Sequence, residues 1–187
     1  MVILIFGITN VGKTATGEKL AEKLKYSFLD MDQEIKRKFQ TTMEEFMRDN
    51  PYTYDRSKLK GKILSSLIDK HQDNVVIAVS PIYYARFFNA LLDLQQVIGI
   101  ELQDTEEHIF ERLIFSDDMD NIYKDDVYKN LHKDHYIKDI HQEIMYSKRM
   151  FKKIEHKYFI NNKSVDEVAD DLIILIENIS GVKQPNE

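Results

Sequence analysis

The chain has 187 residues, no cysteine, 26 Lys and Arg against 32 Asp and Glu, and a formal net charge of −6. That length suits one domain with a sizeable core and is short for two. Disulfides and thiolate chemistry are excluded, the acidic balance argues against a general nucleic-acid binder, and every apolar run falls well below the ~18–20 residues of a membrane span.

Val2-Ile3-Leu4-Ile5-Phe6 is apolar throughout and β-branched at Val2, Ile3 and Ile5, so it reads as a buried strand. It has no basic region before it, which separates it from a secretion signal and points to a cytoplasmic protein. The next eight residues, Gly7-Ile8-Thr9-Asn10-Val11-Gly12-Lys13-Thr14, match G-x-x-x-x-G-K-[ST]. Gly17, Leu20, Ala21 and Leu24 then fall on one helical face, so the motif sits between strand and helix as its chemistry requires. Gly7 and Gly12 give the backbone the freedom to turn N–H groups onto phosphate oxygens, and the helix dipole favours the same anion. Lys13 is suited to the β- and γ-phosphates and the Thr14 hydroxyl to Mg²⁺. Asn10, Val11 and Ala15 complete the expected cradle for a nucleoside triphosphate.

Further along, Tyr26 to Leu29 forms a short strand candidate ending at Asp30-Met31-Asp32, followed by a helix around Ile35 and Phe39. Thr42-Met43-Glu44-Glu45 has capping-box form. Ser57 to Lys70 is helical, Val75 to Val79 is a buried strand stopped by Ser80-Pro81, and a helix is expected from Tyr83 to Leu94. A strand over Val97–Leu102 precedes a helix capped by Asp104-Thr105-Glu106-Glu107. Ser116 to Lys133 is polar and acidic, without periodicity. A long helix through Ile137, Ile140 and Ile144, a strand at Tyr158-Phe159-Ile160, and a final helix from Ser164 to Gly181 complete the chain, with a frayed tail to Glu187. Strands that alternate with helices and are apolar throughout predict an α/β fold with a parallel sheet covered on both faces. Ligands of such sheets bind beyond the carboxyl ends of the strands, where Gly7–Thr14, Asp30–Asp32 and Ser80–Ile82 should meet.

The second long buried strand ends in Ser80 and not in a carboxylate, which speaks against ATP-driven machines. Asn162-Lys163-Ser164-Val165-Asp166 misses the guanine-reading spacing by one residue, which speaks against a GTP switch. The carboxylates stand instead at Asp30 and Asp32. One can steady a metal ion while the other accepts the proton of an attacking hydroxyl; the competing role for either is to cap the following helix. His132, His135 and His141, and the run Asp117, Asp118, Asp120, Asp125 and Asp126, read as solvated surface groups.

On its phosphate loop, on Phe28-Leu29-Asp30-Met31-Asp32, on Thr42-Met43-Glu44-Glu45-Phe46 and on Phe110-Glu111-Arg112-Leu113, the chain resembles the shikimate kinase family of small P-loop kinases. The resemblance implies a single three-layer domain with a five-stranded parallel sheet and a lid at about 116–133. It implies ATP and Mg²⁺ as cofactors and phosphoryl transfer to a small-molecule acceptor by a monomer or homodimer. Carried over by position, Asp30 joins Thr14 at the metal and Asp32 is the acceptor-side base. Arg112 lies against adenine, and Arg56, together with Arg149 or Lys148, holds an acceptor carboxylate. Ser80-Pro81-Ile82 replaces the family's Gly-Gly-Gly, which places Ser80 against the acceptor, and the lid lacks the family's Arg-Pro-Leu-Leu. Lys124 is the expected replacement cation, on a lid expected to be open or disordered without ligand. Tyr52, Tyr54, Tyr83 and Tyr84 would suit a nucleoside or nucleotide acceptor. A nucleotide-binding protein with a degenerate lid is the alternative without catalysis.

Overall fold

The computed structural model describes residues 1–71 and 74–181, so the tail expected to fray lies outside the described residues from 182 onward. The apolar runs form β1 (Val2–Phe6), followed by α1 (Lys13–Leu24), and β2 (Ser27–Asp30), followed by α2 (Met31–Phe39), α3 (Met43–Asp49) and α4 (Thr53–Lys70). Next come β3 (Val75–Ala78), β4 (Val97–Gln103) and α5 (Glu106–Glu111). The remainder comprises β5 (Phe115–Ser116), β6 (Ile122–Tyr123), α6 (Asp126–Leu131), α7 (Lys133–Met150), β7 (His156–Phe159) and α8 (Val165–Ser180). Among the described residues no helix is long and apolar enough to cross a membrane.

Five strands pair in the order β2-β3-β1-β4-β7, all parallel, as expected from runs apolar on both faces. Alternate side chains feed two cores. Val2, Leu4, Phe6 and Ile77 meet Ile63, Leu64, Leu67 and Ile68 of α4 on one face, while Ile3, Ile5, Val76 and Ile100 meet α1 and α8 on the other. The register aligns Asp30 with Ala78, Ala78 with Ile5, and Ile5 with Ile100. The residues just beyond those positions therefore emerge along one edge of the sheet.

The connection from β3 to β4 differs from expectation. In place of a helix over Tyr83–Leu94 there are two short 3-10 turns, Ala85–Phe87 and Leu91–Asp93. Packing overrides the helical pattern, because two adjacent rings are drawn in different directions. Phe88 is fully buried between Phe6 and Phe151, with ring centroids at 5.2 and 6.0 Å, whereas Phe87 lies over Gly61 of α4.

The lid is also built where a loose loop was expected. β5 and β6 form an antiparallel hairpin, and its rings Phe115 and Tyr123 stack at 5.6 Å. Asp117 accepts the backbone N–H groups of Met119 and Asn121, each at 2.9 Å, which fixes the turn. Asp120 at the tip accepts the Met43 N–H at 3.0 Å and pairs with Lys36 at 3.3 Å, so the lid rests on α2 and α3. The acidic run that reads as solvated in the sequence thus supplies turn and docking contacts. Asp125 caps α6 through the Tyr128 N–H at 2.8 Å.

Gly61 controls how closely the β3–β4 connection approaches α4, since a Cβ there would stand 2.6 Å from the Phe87 carbonyl oxygen. Replacing Gly61 by Ala is expected to destabilise the fold by ~1–3 kcal/mol through overpacking. Urea denaturation should show a lower midpoint with an unchanged m-value; a midpoint at or above that of the wild type would contradict the packing.

Candidate active site

The phosphate loop wraps the edge where β1 ends. Gly7 and Gly12 take φ of 148° and 112°, and a Cβ on Gly7 would meet the Leu102 carbonyl oxygen at 2.8 Å. Only glycine fits that turn against β4. Lys13, the first residue of α1, folds back to donate to the Ile8 carbonyl at 2.8 Å. Burial lowers its pKa to about 8, against the opposing pull of Asp32, Glu143 and Asp30.

Thr14 and the end of β2 are locked together. The Thr14 hydroxyl donates to Asp30 Oδ2 at 2.7 Å, while Asp30 Oδ1 accepts the N–H groups of Asp32 and Gln33 at 2.9 and 3.3 Å. The two roles weighed for Asp30 are therefore held together: it caps α2 and also faces the phosphate loop. Asp32 projects from the first turn of α2, and its Oδ1 is buried without a protein partner among the described residues. Lys13, Thr14, Asp30, Asp32, Ser80 and Arg112 line one cleft of about 360 Å³. The Thr14 hydroxyl and the Asp30 carboxylate form a hard oxygen donor pair that fits Mg²⁺, which takes one or two carboxylates and completes its shell with phosphate and water.

Arg112, the residue expected against adenine, closes α5 and donates to Asp104 Oδ2 at 2.6 Å. Burial pushes the Asp104 carboxyl up, but hydrogen bonds from His108, Arg112 and the Thr105 N–H outweigh it and hold the pKa below its usual value. Arg112 Nε is buried without a partner among the described residues, so the guanidinium keeps donor capacity beside the cleft.

On the acceptor side the geometry departs from the pattern carried over by resemblance. The Arg56 guanidinium is tied to its own turn by donation to Asn50 O (2.7 Å), Pro51 O (2.8 Å) and Thr53 Oγ1 (3.2 Å). Arg149 is exposed, lies over the Tyr146 ring at 5.9 Å and does not enter the cleft. Lys148 lines a separate cavity of about 230 Å³ behind the loop, with Ile8, Val11 and Asp104. Tyr52 is exposed, and Tyr54 and Tyr84 pack with Phe87 around the Arg86 guanidinium, so these three form no base-stacking wall. In the lid, Lys129 is held by Glu111 O and Asp126 and Lys133 lies over the Phe110 ring, whereas Lys124 is exposed.

Two charged groups that the sequence did not single out are bonded to residues lining the cleft. Lys60 is 8% exposed and donates to Ser80 Oγ at 2.7 Å and Pro81 O at 3.4 Å; burial lowers its pKa while Asp32 opposes that shift. Ser57, Lys60, Gly61, Leu64 and Ile68 share the buried stripe of α4, a placement that the helix's many lysines mask in the sequence. Glu143 projects from α7 and accepts the Thr9 N–H at 3.3 Å. It shares an inward face with Ile140, Ile144 and Ser147. The three histidines that read as surface groups lie apart from the cleft, His141 on Glu106 and His135 on Asp139, with His132 against the Tyr128 ring. Among the described residues no metal-ligating cluster of His, Cys, Asp and Glu exists.

The family model for shikimate kinase matches residues 9–177. Among curated relatives, the shikimate kinase of Azobacteroides pseudotrichonymphae is 25% identical over 171 residues, covering 91% of this chain and 96% of that protein. A bifunctional shikimate kinase/3-dehydroquinate synthase of Thermotoga maritima is 33% identical over 78 residues, which is 42% of this chain and 15% of that longer protein. In structure, the chain superposes on the shikimate kinase of Bacteroides thetaiotaomicron with a TM-score of 0.73 at 19% identity, covering 95% of this chain and 98% of the other. That likeness carries the fold.

Lys13 generates a prediction on proton linkage. Its folded pKa lies below its unfolded value, so folding favours the neutral amine. Its contribution to stability therefore grows as pH rises from about 8 towards 10.5, and below that window the buried charge is a standing cost. A bound polyphosphate offsets that cost and raises the pKa again. Calorimetry at pH 8, in buffers of different ionisation enthalpy, is expected to show uptake of roughly half a proton with a non-hydrolysable ATP analogue. Lys13→Met should abolish the uptake; equal uptake in both proteins would remove Lys13 as its source.

Proposed function

The chain belongs to the shikimate kinase family, and we propose on that premise that it transfers the γ-phosphate of ATP to a hydroxyl of a small-molecule acceptor, with Mg²⁺. The observation that carries this reading is the junction of Thr14, Asp30 and Asp32, where phosphate loop and carboxylates meet in one cleft with Lys13. A cytoplasmic location and action as a monomer or homodimer belong to the same proposal.

Each residue has a task that follows from its position. The loop N–H groups and the α1 dipole receive the phosphates. Lys13 leaves the Ile8 carbonyl and turns to the β/γ oxygens, where charge accumulates during transfer. Thr14 and Asp30 would hold Mg²⁺, which would supply charge compensation to the phosphates. Asp32 uses its unpartnered Oδ1 to orient the acceptor hydroxyl and take its proton as the new P–O bond forms. Arg112 offers its guanidinium to the base, and Ser80, pinned by Lys60, forms the acceptor floor. Lys124 is exposed, and among the described residues it forms no hydrogen bond, ion pair or ring contact, so it is assigned the closing charge.

Substitutions separate these tasks. Lys13→Ala should abolish transfer and weaken triphosphate binding far more than diphosphate binding. Asp32→Asn should lower turnover by ~10²–10⁴-fold with nucleotide affinity nearly unchanged, since a base acts on the acceptor proton. Thr14→Ala should raise the Mg²⁺ concentration needed for half-maximal nucleotide binding. Lys124→Ala should reduce turnover by up to ~10³-fold at preserved ATP affinity, the scale of a lost transition-state cation. Acceptor-dependent ADP release, with calorimetry for binding, reads all four. An unchanged rate for Asp32→Asn removes the base, and an unchanged rate for Lys124→Ala removes the lid charge.

A further inference from the structure

A serine and a buried lysine stand together where β3 ends. Ser80 is 3% exposed, yet it borders the cleft that Lys13, Thr14, Asp30 and Asp32 line. Lys60 is not part of that lining; it lies behind the serine, with Nζ 2.7 Å from Ser80 Oγ. Strand pairing explains the location. β3 runs beside β1, and Val79 donates to the Ile5 carbonyl at 2.9 Å. Ser80 therefore follows β3 where Gly7 opens the phosphate loop on the neighbouring strand, and a hydroxyl shares the space that receives a γ-phosphate.

The pair has the form of an activated nucleophile: a hydroxyl within hydrogen-bond reach of an amine that a third group orients. Here the third group is the Pro81 carbonyl, 3.4 Å from Lys60 Nζ. Burial lowers the Lys60 pKa against the opposing pull of Asp32, which raises the share of neutral amine able to take a proton. The Thr14 hydroxyl, also in the cleft, is committed to Asp30 and has no such amine. We propose that Ser80 is a self-phosphorylation site, used when ATP is bound and the acceptor position is empty. Ser80 Oγ attacks the γ-phosphorus; the Oγ–P bond forms as the bond from that phosphorus to the β,γ-bridging oxygen breaks. ADP leaves, and the Oγ proton passes to the neutral Lys60 amine. The resulting ammonium stands beside the phosphoserine, a charge-assisted pair that holds the product. The phosphoryl group then fills the acceptor floor, so the protein without acceptor closes its own site, and an acceptor that covers Ser80 protects it.

This assignment rests on the kinase reading, and the test keeps the two apart. Binding of a non-hydrolysable ATP analogue with Mg²⁺ is measured first, because its absence would defeat the kinase reading itself. The protein is then incubated with ATP and Mg²⁺ without any acceptor, and intact-mass and peptide mass spectrometry follow the phosphate. The wild type should gain a phosphate on the peptide carrying Ser80, at a first-order rate that does not change when the protein is diluted. Ser80→Ala should gain none. Lys60→Met keeps an unbranched chain in the buried stripe and removes the amine, while Lys60→Arg keeps a cation that cannot serve as a base. Both, checked for cooperative thermal unfolding and retained analogue binding, should be labelled about 10²-fold or more slowly. Analogue binding with no phosphate on Ser80 would overturn the site, as would phosphate only on another residue. A rate that falls on dilution, or either Lys60 variant labelled as fast as the wild type, would overturn the in-cleft step.

Discussion

One carboxylate, Asp30, joins the two halves of the catalytic cleft. Its Oδ2 receives the Thr14 hydroxyl from the first turn of α1, and its Oδ1 receives two N–H groups from the start of α2. The helix that carries the phosphate loop and the helix that carries Asp32 are thereby held at a fixed separation before any ligand arrives. The cap also gives Asp32 its direction, because the N–H that Asp30 accepts is the Asp32 N–H. An Asn at position 30 could still cap, yet it would present no full charge to a cation beside the phosphates.

Most of this architecture is legible in the chain. Val2–Phe6 and Val75–Val79 are apolar on both faces, and only a sheet buried on both sides accommodates such runs. The strand–loop–helix context then places the glycines and Lys13, and parallel register brings the ends of β1, β2 and β3 to one edge. The β3–β4 connection was misread because periodicity cannot tell that Phe87 and Phe88 pack in different directions. The lid was misread because its order comes from carboxylates bonded to backbone N–H groups, as at Asp117 and Asp120, and leaves no apolar pattern.

The nucleotide half of the site was readable for the same reason the fold was: its groups lie on a local motif. The acceptor half was not. Lys60 looks like one more lysine on a basic helix until α4 is seen to turn Ser57 and Lys60 inward with its leucines. Glu143 lies 134 residues from the Thr9 N–H that it accepts, a pairing that no local spacing reports. Positional transfer from a family also fails most easily here, since Arg56 keeps its place in the chain while its guanidinium closes its own turn.

The charges of the cleft form a sequence of compensations: Lys60 with Asp32, Lys13 with Glu143 and the coming phosphates, Arg112 with Asp104. On the proposed reading, such an arrangement would favour transfer to a bound acceptor over hydrolysis. Phosphorus-31 NMR of the protein with ATP, Mg²⁺ and a pool of polyhydroxyl compounds tests this most directly. The account predicts ADP accompanied by an equal amount of a phosphomonoester, with little inorganic phosphate. Inorganic phosphate as the matching product, or no change in ATP while nucleotide is bound, would contradict it.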